Sequence, residues 1–244
     1  MDAVVTTSNP QASALPSRAR LLAIVLIRAV VFSGILCALL FIPAGTWHFW
    51  QAWAFAAFYV LPVIGLMLWL AVADPRTLQR RLKGREREPK QRKVILTLIP
   101  LLLLALTSPG FDYRFGWTRT LFGPVPAWLS LCADFLILAG VLFIAWTIAV
   151  NRFAARTIRV EEGQQVISSG PYRAIRHPMY TGFILTQLAM PIGMASLVTL
   201  PLFLLLIVVY VIRLLDEEKV LARDLPGYSE YCQRTRWRLI PCVW

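Results

Sequence analysis

Long apolar runs separated by short basic segments organise this chain, the first reaching from Leu21 to Phe41 and a later one from Val94 to Leu106. About 20 apolar residues in helical form cross the ~30 Å hydrocarbon core of a bilayer. The runs lack polar positions at helical spacing, which a helix facing water on one side requires. The pattern therefore predicts membrane helices over Leu21 to Ile42, Phe49 to Val72, Val94 to Leu106 and Trp128 to Val150. Pro43 and Gly45 predict the end of the first, and Trp47, Trp50 and Trp53 place an aromatic belt at the start of the second. Pro109, Gly110, Gly116, Gly123, Pro124 and Pro126 predict an irregular segment after the short third helix.

From Met179 to Ile212 the chain is apolar for 34 residues. A single helix of that length would extend about 50 Å, well beyond ~30 Å of hydrocarbon. Pro191, Gly193 and Ser196 near its middle predict instead a hairpin of two short helices that enters and leaves on the same side. The expected fold is all-α: an integral membrane helical bundle of four transmembrane helices plus a C-terminal helical hairpin. It divides into a disordered polar tail over 1–20, a four-helix transmembrane region over 21–150 and the hairpin region over 151–244. The first apolar run is too long for a signal-peptide core and has no convincing small-residue cleavage site, so it reads as an uncleaved helix.

Composition agrees: 58% of the residues are hydrophobic and 16% charged, against about half and about a quarter in soluble domains. A net charge of +12 raises the question of nucleic acid, but the basic residues sit between the apolar runs, as they do when they set membrane orientation and meet anionic lipid. With the N-terminus inside, segments 1–20, 74–93, 151–177 and 213–244 hold 22 of the 25 Lys and Arg residues. This asymmetry predicts a multi-pass protein whose polar C-terminal segments face the cytosol, with Asp74 to Lys93 a solvated cytosolic loop. Cys37, Cys132, Cys232 and Cys242 show no CxxC pair or metal-ligand spacing, so neither a structural disulfide nor a metal site is expected. Arg28 and Asp134 are the clear ionisable residues within the helices, too few to mark an ion path.

Three groups converge on the cytosolic side. In the first, Gly170-Pro171 makes a turn before Tyr172, and Pro178 biases His177 away from helical geometry as the next helix begins. The start of that helix offers backbone N–H groups and a positive dipole end to an anion. Tyr180 follows in its first turn, and Gly182 permits close approach of a backbone or ligand. In the second, Arg213 and Glu217 stand four apart on one helix face with Glu218 beside them. The third is the tail, with Tyr228, Tyr231, Arg236, Arg238, Leu239, Ile240 and Pro241, whose composition also suits a membrane interface. A lone His is more often structural, and an Arg–Glu pair at this spacing is more often a surface pair; their placement at the two ends of one hairpin argues for a site.

Gly170-Pro171-Tyr172, Arg176-His177-Pro178-Met179-Tyr180-Thr181-Gly182, Glu217-Glu218 and the ending Arg236 to Pro241 together resemble the C-terminal half of the isoprenylcysteine carboxyl methyltransferase family and its phospholipid methyltransferase relatives. The resemblance spans roughly the last 90 residues. It implies a membrane-embedded methyltransferase using S-adenosylmethionine, with 151–244 as its cofactor-binding region. By position, Tyr172, His177, Tyr180 and Gly182 would line the cofactor pocket and Glu217 and Glu218 would close it. Arg213 would lie nearer the methyl acceptor, and Arg213 and Glu217 are the candidate catalytic residues. The acceptor implied is lipidic or small, an isoprenylcysteine-type carboxylate first among several. The sequence has no Gly-rich dinucleotide fingerprint after a strand, which argues against a soluble nucleotide-binding methyltransferase. Membrane sterol reductases share a related C-terminal half, so an NADPH-dependent reductase is the alternative, and a non-enzymatic membrane protein is the third reading.

Overall fold

A computed structural model of the chain describes residues 17–83, 89–153, 160 and 163–244. The expected disordered tail falls outside these residues as far as position 16. Among the described residues the architecture is all-α, and five helices are long and apolar enough to cross a membrane.

Helix α1 spans Arg18–Ala44 and ends where Gly45 takes a left-handed φ of 69°, its N–H bonded back to Phe41 and Ile42. Residues 18–20 thus belong to the helix rather than to the tail. The second crossing is composite: α2 (Trp50–Phe55), a π turn over Ala56–Val60, and α3 (Leu61–Ala73). Pro62 explains the widened turn, because its ring and missing N–H conflict with the carbonyl one turn earlier.

The described residues between Asp74 and Lys93 are largely helical rather than loop, and 84–88 lie outside the described residues. Asp74 caps α4 (Pro75–Lys83), accepting from the Thr77 N–H at 3.1 Å and the Thr77 hydroxyl at 2.9 Å. Asp before Pro at the first helical position is a helix-start signal that the surrounding charge run obscures. Leu78 and Thr77 are buried beneath α4, and Gln91 is buried at the start of α5 (Pro89–Phe115). Helix α5 continues through Pro100, Pro109 and Gly110, so the expected break after Leu106 does not occur. At Gly110 a Cβ would collide with the backbone carbonyl of Leu40, so α1 and α5 meet there without an intervening side chain and packing overrides the local breakers.

Beyond α6 (Trp117–Phe122), α7 (Ala127–Val150) packs on α8 (Pro178–Gly193) more extensively than any other pair of helices does. Glycines set that contact. A Cβ on Gly140 would lie 2.7 Å from Thr186 Cγ2, and one on Gly182 would lie 2.5 Å from Ile144 Cγ1 and 2.9 Å from the Gly140 carbonyl. Near the other end of α7, Asp134 is fully buried against Gly193, and neither carboxyl oxygen has a hydrogen-bond partner among the described residues.

The hairpin forms, though unequally. Helix α8 has 16 residues, whereas α9 (Leu200–Asp224) has 25 and continues past its apolar part to carry Arg213, Glu217 and Glu218. Ala195 turns the chain with a φ of 52°, and the Ser196 N–H bonds to the Pro191 carbonyl at 2.7 Å. Helix α10 (Tyr228–Arg234) and residues 235–244 fold back toward the start of α8.

Candidate active site

The site is built where four chain segments meet at the basic end of the bundle. Residues Gly170–Arg173 form a 3-10 turn, with Gly170 at a φ of 57° and packed on Val150. His177 follows at φ −125° and ψ 59°, outside the helical region that the next proline disfavours, and α8 begins. The tail lies alongside: Ile175 pairs with Trp237 in a parallel bridge, the N–H of Arg176 donates to the Trp237 carbonyl at 2.9 Å, and that of His177 donates to the Arg238 carbonyl at 3.0 Å. Thr181 on α8 adds a hydroxyl bond of 2.8 Å to the Leu239 carbonyl.

Glu218 fastens this arrangement. One carboxylate oxygen accepts from Arg176 Nη1 at 2.8 Å and from His177 Nε2 at 3.2 Å, and the other accepts from Arg238 Nε at 2.8 Å. Two guanidinium donors keep the carboxylate ionised, and an ionised carboxylate only accepts, so the proton of His177 sits on Nε2. Arg176 completes the tie by donating Nη2 to the Arg236 carbonyl at 2.9 Å. The pre-α8 segment, α9 and the tail are thus held by one partly buried acid.

Glu217, the neighbouring residue, points elsewhere. It accepts from the Tyr180 hydroxyl at 2.7 Å and lines a cleft with Asn151, Tyr172, His177, Tyr180 and Tyr228. Met179, Leu221 and Leu225 supply apolar wall. Tyr172 accepts from Asn151 Nδ2 at 3.0 Å, and the Tyr231 hydroxyl donates to the Tyr172 carbonyl at 2.7 Å. Burial pushes the Tyr172 hydroxyl up to about 12, so it is neutral at physiological pH. The Tyr228 hydroxyl is also raised, chiefly by burial, and it has no hydrogen-bond partner among the described residues; nor does Arg176 Nε.

The expected residues thus separate into three places. Tyr172, His177, Tyr180 and Glu217 line the cleft. Glu218 stands behind it as the tie, and Gly182 faces α7 rather than the cleft lining. Arg213 reaches across to α5: its Nη1 donates to Gln91 Oε1 at 2.9 Å, and Gln91 Nε2 donates to Asp216 at 3.2 Å. Sequence reasoning missed Gln91, which gives no local signal within a basic run, and Asn151 at the end of α7. It named Tyr228 and Arg238 as part of the converging tail, without a role for either. Arg176 adjoins His177 in the motif and was the available hint of a second cation.

Two comparisons with known proteins bear on the chain. Residues matching the mouse (Mus musculus) Delta(14)-sterol reductase are 35% identical over 96 positions, 36% of this chain, and the chain covers 22% of that relative's length. Residues 128–225, which run from the first turn of α7 to the end of α9 and include the turn and cleft residues between them, match the phospholipid methyltransferase family.

Proposed function

We propose that the chain is a membrane-embedded S-adenosylmethionine-dependent methyltransferase of a lipidic or small acceptor, working from its cytosolic face. The observation that carries this reading is the cleft itself: the stretch matching the methyltransferase family delivers Tyr172, His177, Tyr180 and Glu217 to one place. The donor set suits the cofactor. It combines an anionic Glu217 for a cationic ligand, a buried Tyr228 hydroxyl and an Arg176 Nε without partners for its polar groups, and apolar wall from Leu221 and Leu225.

When bound, S-adenosylmethionine would supply a methyl group on a positively charged sulfur that leaves as a neutral thioether. The protein's task is then alignment and exclusion of water more than proton transfer. Tyr180 fixes the orientation of Glu217 through its hydroxyl, and His177, locked by Glu218, holds the floor of the cleft. Arg213, one turn before Glu217, is the cation we assign to orient an acceptor carboxylate, an isoprenylcysteine-type acid being the first acceptor to test. Such an acid needs no base; a thiol or amine acceptor would lose its proton to Glu217 or His177.

The test is incubation with methyl-labelled S-adenosylmethionine and a panel of prenylcysteines, phospholipids and thiols; label in none of them refutes the reading. The likeness to a sterol reductase favours NADPH as the competing cofactor. Tight binding of NADPH without binding of S-adenosylhomocysteine would replace the proposal with that second reading.

A further inference from the structure

A second binding feature lies away from the cleft, on the lipid-facing side of α1. Arg28 is exposed there with no bonded partner among the described residues, ten residues into a helix that is otherwise apolar around it. At 1.5 Å per residue it stands about 15 Å from the helix start. An arginine placed so in lipid is costly unless it snorkels toward the head groups or meets an anion. Arg28 opens into a groove between α1 and α3 that is otherwise apolar, running from Leu82 and Met67 at the basic end to Phe32 and Val63 deeper in the bundle. Leu82 belongs to α4, which also carries the exposed Arg76.

We infer that this groove binds one anionic phospholipid of the leaflet at the basic end, its phosphate at Arg28 and an acyl chain along Phe32 and Val63. The charge complementarity chooses the occupant. An apolar channel with a single unpaired cation partway along it matches a chain with an anionic head, and a zwitterionic lipid brings its own cation to the same place. The inference does not depend on the catalytic reading, since none of the groove residues lines the cleft.

Native mass spectrometry of the full chain, released from vesicles holding equal dioleoyl phosphatidylglycerol and dioleoyl phosphatidylcholine, tests it. One retained phosphatidylglycerol is expected at about fivefold over phosphatidylcholine, the factor expected of one arginine near an anionic surface. Arg28→Gln should abolish that preference, Arg28→Lys should keep most of it, and Arg20→Gln on the same helix should leave it unchanged. Ala29→Phe, which fills the groove and retains the arginine, should remove the bound lipid and decides the matter should Arg28→Gln not fold. Equal retention of both lipids by the unaltered chain, or an unchanged preference in Arg28→Gln or Ala29→Phe, would overturn the inference.

Discussion

Replacing Glu218 by Gln removes a charge while preserving shape, and so isolates what the carboxylate contributes. Three bonds reach it, from Arg176 at 2.8 Å, His177 at 3.2 Å and Arg238 at 2.8 Å. Converting a charge-assisted bond to a neutral one loses about 1 kcal/mol, so three would lose about 3 kcal/mol before any correction. The Arg238 side chain is 31% exposed, so solvent screens its share, and about 2 kcal/mol is the better figure. That corresponds to a roughly thirtyfold rise in the population with a detached tail. Limited proteolysis after Arg236 or Arg238 should therefore accelerate by roughly that factor in Glu218→Gln, while the far ends of α1 and α5 stay protected. S-adenosylhomocysteine affinity should fall in parallel, because His177 loses its anchor. Cleavage rates and cofactor affinity both equal to the unaltered chain would refute the assignment of Glu218 as the tie.

Further outcomes follow from other contacts. Gly182→Ala forces a Cβ to within 2.9 Å of the Gly140 carbonyl, which should cost about 2 kcal/mol and lower Tm by about 4–8 °C in detergent. An unchanged Tm would mean that α7 and α8 are farther apart than described. Arg213→Ala should reduce turnover of a carboxylate acceptor by about tenfold to a hundredfold with cofactor affinity retained; Gln91→Leu should move turnover the same way by less, because α9 still carries the arginine. Turnover near that of the unaltered chain in both would leave Arg213 as a strut between α5 and α9. Finally, Gln79→Cys on α4, in a chain otherwise without cysteine, should resist impermeant thiol reagents added to intact cells; rapid labelling would reverse the proposed orientation.

The bundle was legible because its main signal is coarse. Hydrophobic length alone marks α1, the α2–α3 crossing and α7 within a few residues, and hydrocarbon thickness forces the hairpin. What failed was local. Prolines at 100 and 109 are breakers in water, but α5 is held by α1 at Gly110 and keeps its helix. The basic run after Asp74 hid a capped, amphipathic helix because charge dominated its average. At the site, the motif gave the residues but not their directions. Glu217 and Glu218 are adjacent in sequence, yet on a helix they point about 100° apart, one to the cleft and the other to Arg176, His177 and Arg238. Gly182 likewise read as space for a backbone or a ligand, and the structure gives that space to the backbone of α7. Gln91 has no counterpart signal, since its role exists only once α5 and α9 are side by side.

The pairing of residues 175–177 with 237–238 has a consequence for biogenesis. Synthesis proceeds from the N-terminus, so every membrane helix, α9 included, leaves the ribosome before Trp237 and Arg238 do. Insertion into the bilayer and completion of the cleft are therefore separate events. A chain truncated after Arg234 would hold every span while Arg176 and His177 lacked the backbone carbonyl partners that the last segment brings. The chain is anchored first, and its cleft is completed afterwards.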